Sequence, residues 1–75
     1  MTSTEAATQL LASALGVSEA EISDETSITY SDEWDSLAHF RIIFALEEQI
    51  DRKMSPLEIF ELSNFESVVE ILARR

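Results

Sequence analysis

From Ser36 to Asp51 the chain places Leu37, Phe40, Ile42, Ile43, Phe44, Leu46 and Ile50 at helical spacing. An apolar arc this broad is wide enough to contact more than one neighbour, so it constrains the fold more than any other stretch. The segment reads as the central helix of a helical bundle. Ala38, Arg41, Ala45 and Glu48 fall on its opposite face. Glu48 and Arg52 have the spacing of a favourable i, i+4 pair. Arg52-Lys53 brings positive charge to the helix C-terminus, where the macrodipole favours it.

The remaining elements follow from capping signals. Thr2 and Glu5 have capping-box spacing and open a first helix in which Ala6, Leu10, Leu11, Ala14 and Leu15 recur. Gly16 is a left-handed stop, and Val17 can fold back on the last turn. Val17 to Asp35 lacks a sustained period, apart from one short turn that Ser18 and Glu21 could cap. A loop this long is unusual in a compact domain and is often functional. Val17, Ile22, Ile28 and Trp34 recur along it and are expected to pin it to the core. Ser55-Pro56-Leu57-Glu58 opens a short third helix with Leu57, Ile59, Phe60 and Leu62 as its apolar content. Ser63 and Glu66 repeat the capping spacing before a last helix that turns Phe65, Val68, Val69, Ile71 and Leu72 inward and ends on Arg74 and Arg75. The expectation is an all-α, four-helix bundle in one domain, residues 1–75, with a long loop between its first two helices.

Composition limits the partners. The chain has no cysteine, one glycine and one proline, so helix packing must supply the stability without a disulfide or thiolate–metal staple. The missing cysteine fits a reducing compartment, and a cytoplasmic setting is expected. No apolar stretch approaches the length of a membrane span, and no basic, apolar targeting signature opens the chain. Fifteen acids face five bases, for a net charge of −10. Such a surface repels nucleic acid and anionic membranes and should attract basic patches on other proteins. Equally, it could serve only to keep a small domain soluble and monomeric.

The chemistry-bearing residues cluster at Trp34-Asp35-Ser36-Leu37 and His39. Asp-Ser before an apolar run is ordinary helix capping. It also sets Ser36 where a loop meets a rigid helix N-terminus, a favourable place for an approaching anion. Asp35, Ser36 and His39 do not make a nucleophilic triad, because side chains on one helical turn project at fixed angles and cannot easily stack acid behind base behind serine. His39 is expected at the edge of the apolar arc or paired with Asp35. Asp32, Glu33 and Asp35 lack the pattern of a calcium loop and read as solvated charges, so no metal site is expected. Trp34 reads as a partly buried anchor, and Phe40, Phe44, Phe60 and Phe65 read as core.

Asp35-Ser36-Leu37, followed by Phe40, Ile43-Phe44-Ala45-Leu46-Glu47-Glu48 and Ile50, resembles the acyl and peptidyl carrier protein family. The likeness runs on through the short third helix to Phe65-Glu66-Ser67-Val68 and covers essentially the whole chain. It implies a four-helix bundle whose Ser36 receives a 4′-phosphopantetheine arm from coenzyme A. A separate, magnesium-using phosphopantetheinyl transferase makes the phosphodiester. The arm ends in a thiol that carries acyl or aminoacyl groups as thioesters, so the reactive sulfur would come from the prosthetic group. The carrier itself catalyses nothing.

The resemblance also implies partners: the transferase, an acyl- or aminoacyl-loading ligase, and downstream acyl-transfer enzymes. Asp35, Leu37, Ala38, Arg41, Ala45 and Glu48 are the residues expected to face them. Fast, weak encounters driven by charge suit an arm that visits several enzymes. An acyl chain could shelter between the second and third helices, or Phe40, Phe44 and Phe60 could fill that space. Ala38-His39-Phe40-Arg41 departs from the acidic turns of typical fatty-acid carriers, and the glycine usual before the motif is absent. Arg41 is more like peptidyl carriers, and Trp34 resembles stand-alone carriers of specialised pathways. A dedicated, free-standing, monomeric carrier for a small acyl or aminoacyl group is the expectation. The alternative is an unmodified acidic helical interaction module.

Overall fold

A computed structural model describes residues 1–74. Among them are four α-helices: α1 (Ser3–Leu15), α2 (Ser36–Ile50), α3 (Pro56–Glu61) and α4 (Phe65–Ala73). A single 3-10 turn spans Glu19–Glu21 in the loop after α1. The helix boundaries have local causes. The Thr2 hydroxyl accepts from the Glu5 amide at 3.1 Å while the Glu5 carboxylate accepts from the Thr2 amide at 3.0 Å. Gly16 ends α1 at φ +72°, a conformation that costs a side chain bearing Cβ. Ser55 and Glu58 close the same reciprocal box around the start of α3, whereas at the 3-10 turn the Glu21 carboxylate accepts from both the amide and the hydroxyl of Ser18, at 3.0 and 3.3 Å.

The last helix starts differently from the expectation. Asn64 rather than Ser63 is its cap, and Ser67 rather than Glu66 completes the box. Asn64 accepts from the Ser67 amide at 2.8 Å, while the Ser67 hydroxyl accepts from the Asn64 amide at 3.1 Å.

The core is built from Leu11, Ile42, Leu46, Val68, Ile71 and Leu72, all essentially inaccessible. α1, rich in buried alanine, packs most extensively on the other elements, against α4 and then α2. Small side chains at such a contact let helix axes approach. The centre of the bundle is therefore shared by α1, rather than belonging to α2 alone. α3 lies at the periphery and contributes little helix-to-helix packing.

The long loop is held by backbone bonds as well as by side chains. The Phe65 amide donates to the Thr26 carbonyl, and the Ile28 amide to the Ser63 carbonyl, both at 2.9 Å. These tie the middle of the loop to the junction of α3 and α4. Val17 and Ile22 pack against the core, and Trp34 is buried at 3% exposure. Ile28 is exposed, so one of the four expected apolar anchors does not anchor. Its neighbour Thr26 is buried instead, its hydroxyl accepting from the Ser23 amide.

The faces of α2 also depart from the expectation. Its buried residues are Ala38, Ile42, Ile43, Leu46 and Ile50, a narrower stripe than the sequence offers. Leu37, Phe40 and Phe44 point outward, the two phenylalanines at 56% and 65% exposure. Phe60 of α3 is 85% exposed, and Phe65 is half-buried against the core. The phenylalanine set is thus mostly surface and does not fill the space between α2 and α3. No helix is long and apolar enough among the described residues to cross a membrane.

Candidate functional site

Asp35 is the cap of α2, and Ser36 is the first helical residue. The Asp35 carboxylate accepts from the Ala38 amide at 2.9 Å, and its carbonyl accepts from the His39 amide at 2.9 Å. The capping duty falls on the aspartate, which leaves the serine free of it. Ser36 is exposed, and among the described residues its hydroxyl has no hydrogen-bond partner. Its backbone is nevertheless fixed by the first turn of a fifteen-residue helix. The positive end of the helix dipole favours an anion beside this free hydroxyl.

The surroundings are asymmetric. Ser36 shares a shallow depression with Ile28, Trp34, Asp35, His39 and Phe40. Trp34, itself buried, is among its lining residues, and the indole N–H donates to Nδ1 of His39 at 3.0 Å. The pairing of His39 with Asp35, one of the two alternatives drawn from the sequence, does not form. Asp35 therefore does not orient the His39 ring; Trp34 does.

The residues expected to face partners divide. Asp35, Leu37, Arg41 and Glu48 are exposed. Ala38 is buried at 3% and belongs to the core, and Ala45 is half-buried against it. The small Ala45 side chain faces Leu10 and Ser13 of α1, where α2 lies beside it. Arg41, Ala45 and Glu48 line one wall of a groove whose other wall includes Gln9, Leu10 and Ser13 of α1. Leu37 faces outward as expected of a partner-facing residue, but Phe40 and Phe44, read from the sequence as core, join it in an outward apolar row. Their i, i+3, i+7 spacing was visible, but seven apolar positions in one helix do not say which ones the neighbours cover.

A second charged cluster lies at the far end of α2. Arg52 makes a two-point ion pair with Glu58, at 2.8 and 2.9 Å, and does not pair with Glu48 as its spacing suggested. Arg74 reaches the same carboxylate at 3.4 Å. Glu47 instead accepts from the Met54 amide and lies 3.7 Å from Lys53.

A family model described as phosphopantetheine attachment site matches residues 5–72. The chain belongs to that family. Proteins of the phosphopantetheine attachment site family carry 4′-phosphopantetheine covalently on a serine, and such carrier domains are generally non-catalytic. They are served by phosphopantetheinyl transferases and by acyl-handling enzymes. Comparison with curated proteins finds none that matches. The match takes in all four helices nearly whole and the loop that delivers Asp35 and Ser36. The helical architecture agrees with the bundle expected of an acyl carrier-like protein. The residues at the start of α2 fit the group: the hydroxyl is exposed and unengaged, and a depression adjoins it.

Proposed function

We propose that Ser36 is the attachment site and that the chain works as a carrier of acyl or aminoacyl groups. The observation that carries this reading is the exposed Ser36 hydroxyl, free of the capping duty that Asp35 performs, at the start of α2 within the family match. In the modification, Ser36 Oγ gives up its proton and forms a bond to the pantetheine-side phosphorus of coenzyme A. The pyrophosphate P–O bond breaks, and adenosine 3′,5′-bisphosphate leaves. The transferase supplies the magnesium ion and the base. Once attached, the arm supplies a terminal thiol on which cargo is held as a thioester. The chain contributes the hydroxyl, a rigid base for the arm and a surface for its partners.

That surface combines a net charge of −10 with the outward row of Leu37, Phe40 and Phe44 beside the serine. Charge speeds the encounter, and modest apolar contact registers it without a slow release. Arg41 interrupts the acidity within one and a half turns of Ser36 and is a natural selector among loading enzymes. The departures from the fatty-acid pattern at Ala38-His39-Phe40-Arg41 support a specialised biosynthetic pathway. We read the chain as one carrier domain over residues 1–75, monomeric and cytoplasmic, with no activity of its own.

The test is intact mass before and after incubation with a broad-specificity phosphopantetheinyl transferase, magnesium and coenzyme A. Wild type should gain one phosphopantetheine unit and Ser36→Ala none. A wild-type chain that stays at its original mass, including with a transferase from its own host, contradicts the reading. It would favour an unmodified acidic interaction module.

A further inference from the structure

The hydrogen bond between Trp34 and His39 fixes more than the position of a loop. An indole N–H can only donate, so the imidazole nitrogen that faces it carries no proton. In the neutral ring the proton must then sit on Nε2. Trp34 is buried and its ring lies 6.3 Å from that of His39 at an interplanar angle of 34°, so the packing holds this arrangement in place. Among the described residues Nε2 has no partner, although the ring is half-buried.

The ring that carries this unmatched donor lines the same depression as Ser36. His39 lies three residues after it on α2, which makes the two side chains surface neighbours. Side chains on a helix lean toward its N-terminus, which carries the His39 ring toward the serine. Trp34 lines the depression with both residues. The nearest carboxylate, that of Asp35, is engaged by the Ala38 amide.

We infer that His39 is a positioning residue for the group carried on Ser36, its Nε2–H donating to a phosphate oxygen, with Trp34 setting the tautomer that makes it a donor. The inference rests on Ser36 being the attachment site. A phosphodiester is anionic at all ordinary pH, and hydrogen bonds to anions are stronger than neutral ones. The arm's root would thereby be held toward the Trp34 side of α2, and its freedom would begin beyond the phosphate.

His39 is the only histidine, so its ring signals in a chain labelled with 15N-histidine need no assignment. Holo-protein is made with a transferase, magnesium and coenzyme A, and its mass is checked. The ring should show the Nε2–H tautomer before and after modification. On modification its Nε2–H proton should move downfield and exchange more slowly. The 31P signal of the holo-protein should shift and narrow in His39→Leu, as the arm's root gains mobility. His39→Gln keeps an N–H donor and should fall between the two. An Nε2–H signal unmoved by modification, or a 31P signal identical in wild type and both variants, overturns the inference while leaving the carrier reading intact. A chain that never gains the arm's mass overturns both.

Discussion

Arg52 grips Glu58 through two hydrogen bonds of 2.8 and 2.9 Å, joining the segment after α2 to the first turn of α3. The same carboxylate also accepts from the Ser55 amide at 2.9 Å, so it caps α3 and anchors it at once. α3 has little helix-to-helix packing, so this cluster and the buried Met54 and Leu62 on either side of the helix tie it to the bundle. Arg52→Met should lower the urea midpoint measurably, because it strips a charge-assisted pair from a nearly buried carboxylate. Lys53→Met should cost under about 0.5 kcal/mol, since Lys53 is exposed and its contact with Glu47 is long. Equal losses in the two variants would mean that the ion pair does not hold α3.

The Arg52 hydrogen bonds, followed by that of the Ser55 amide, hold the Glu58 carboxyl well below the usual carboxylate range. Its folded value thus lies below its unfolded value. The stabilisation is complete above the ordinary glutamate value of about 4.3 and is lost progressively as pH falls below it. Glu58→Gln should be less stable than wild type near neutrality, and the gap should narrow as pH falls from about 6 to about 3. Urea midpoints measured across that range check this. A gap that is constant with pH would contradict the assignment.

The division of labour between Asp35 and Ser36 gives a paired test. Asp35→Ala should cost about 1 kcal/mol, the usual worth of a helix cap. Ser36→Ala should change stability by less than about 0.5 kcal/mol, as an exposed residue without a partner. The same Ser36→Ala chain should nevertheless refuse the arm entirely. Thermal unfolding alongside intact mass reads both. Loss of fold in Ser36→Ala would mean that the serine is structural.

Ala38 and Phe44 invert what size alone suggests about α2. Ala38→Leu should destabilise by about 1–3 kcal/mol, because a buried alanine has no room for three more carbons. Phe44→Ser, on the exposed row, should leave stability within about 0.5 kcal/mol while weakening capture by a partner enzyme. Denaturant midpoints and a loading assay check the pair.

Arg41→Glu should change which loading enzymes accept the chain and leave far-UV circular dichroism unchanged, because Arg41 is exposed. A drop in helical content would assign Arg41 to the structure instead.

Local chemistry was the legible part of this sequence. Thr2 with Glu5, Ser18 with Glu21, Ser55 with Glu58, and Gly16 each act through neighbours within a turn, and all behave in the fold as their spacing implies. Tertiary choices were not. Which apolar residues of α2 turn outward depends on where α1 and α4 lie. Arg52 chose Glu58 over Glu48 because α3 folds back beside it. The bonds from Phe65 to Thr26 and from Ile28 to Ser63 join positions 39 and 35 residues apart through backbone groups that carry no side-chain signature. At the candidate site, Ser36 was visible from its motif and setting, whereas the Trp34–His39 bond needed the loop's return path.

The most direct measurement is peptide mapping of the protein taken from its own host, with tandem mass spectrometry of the fragment that holds Ser36. Attachment at Ser36 predicts a phosphopantetheine mass on that serine, released as pantetheine on fragmentation, and on no other residue. A fragment uniformly unmodified in active cells, or the arm found on a different serine, would contradict it.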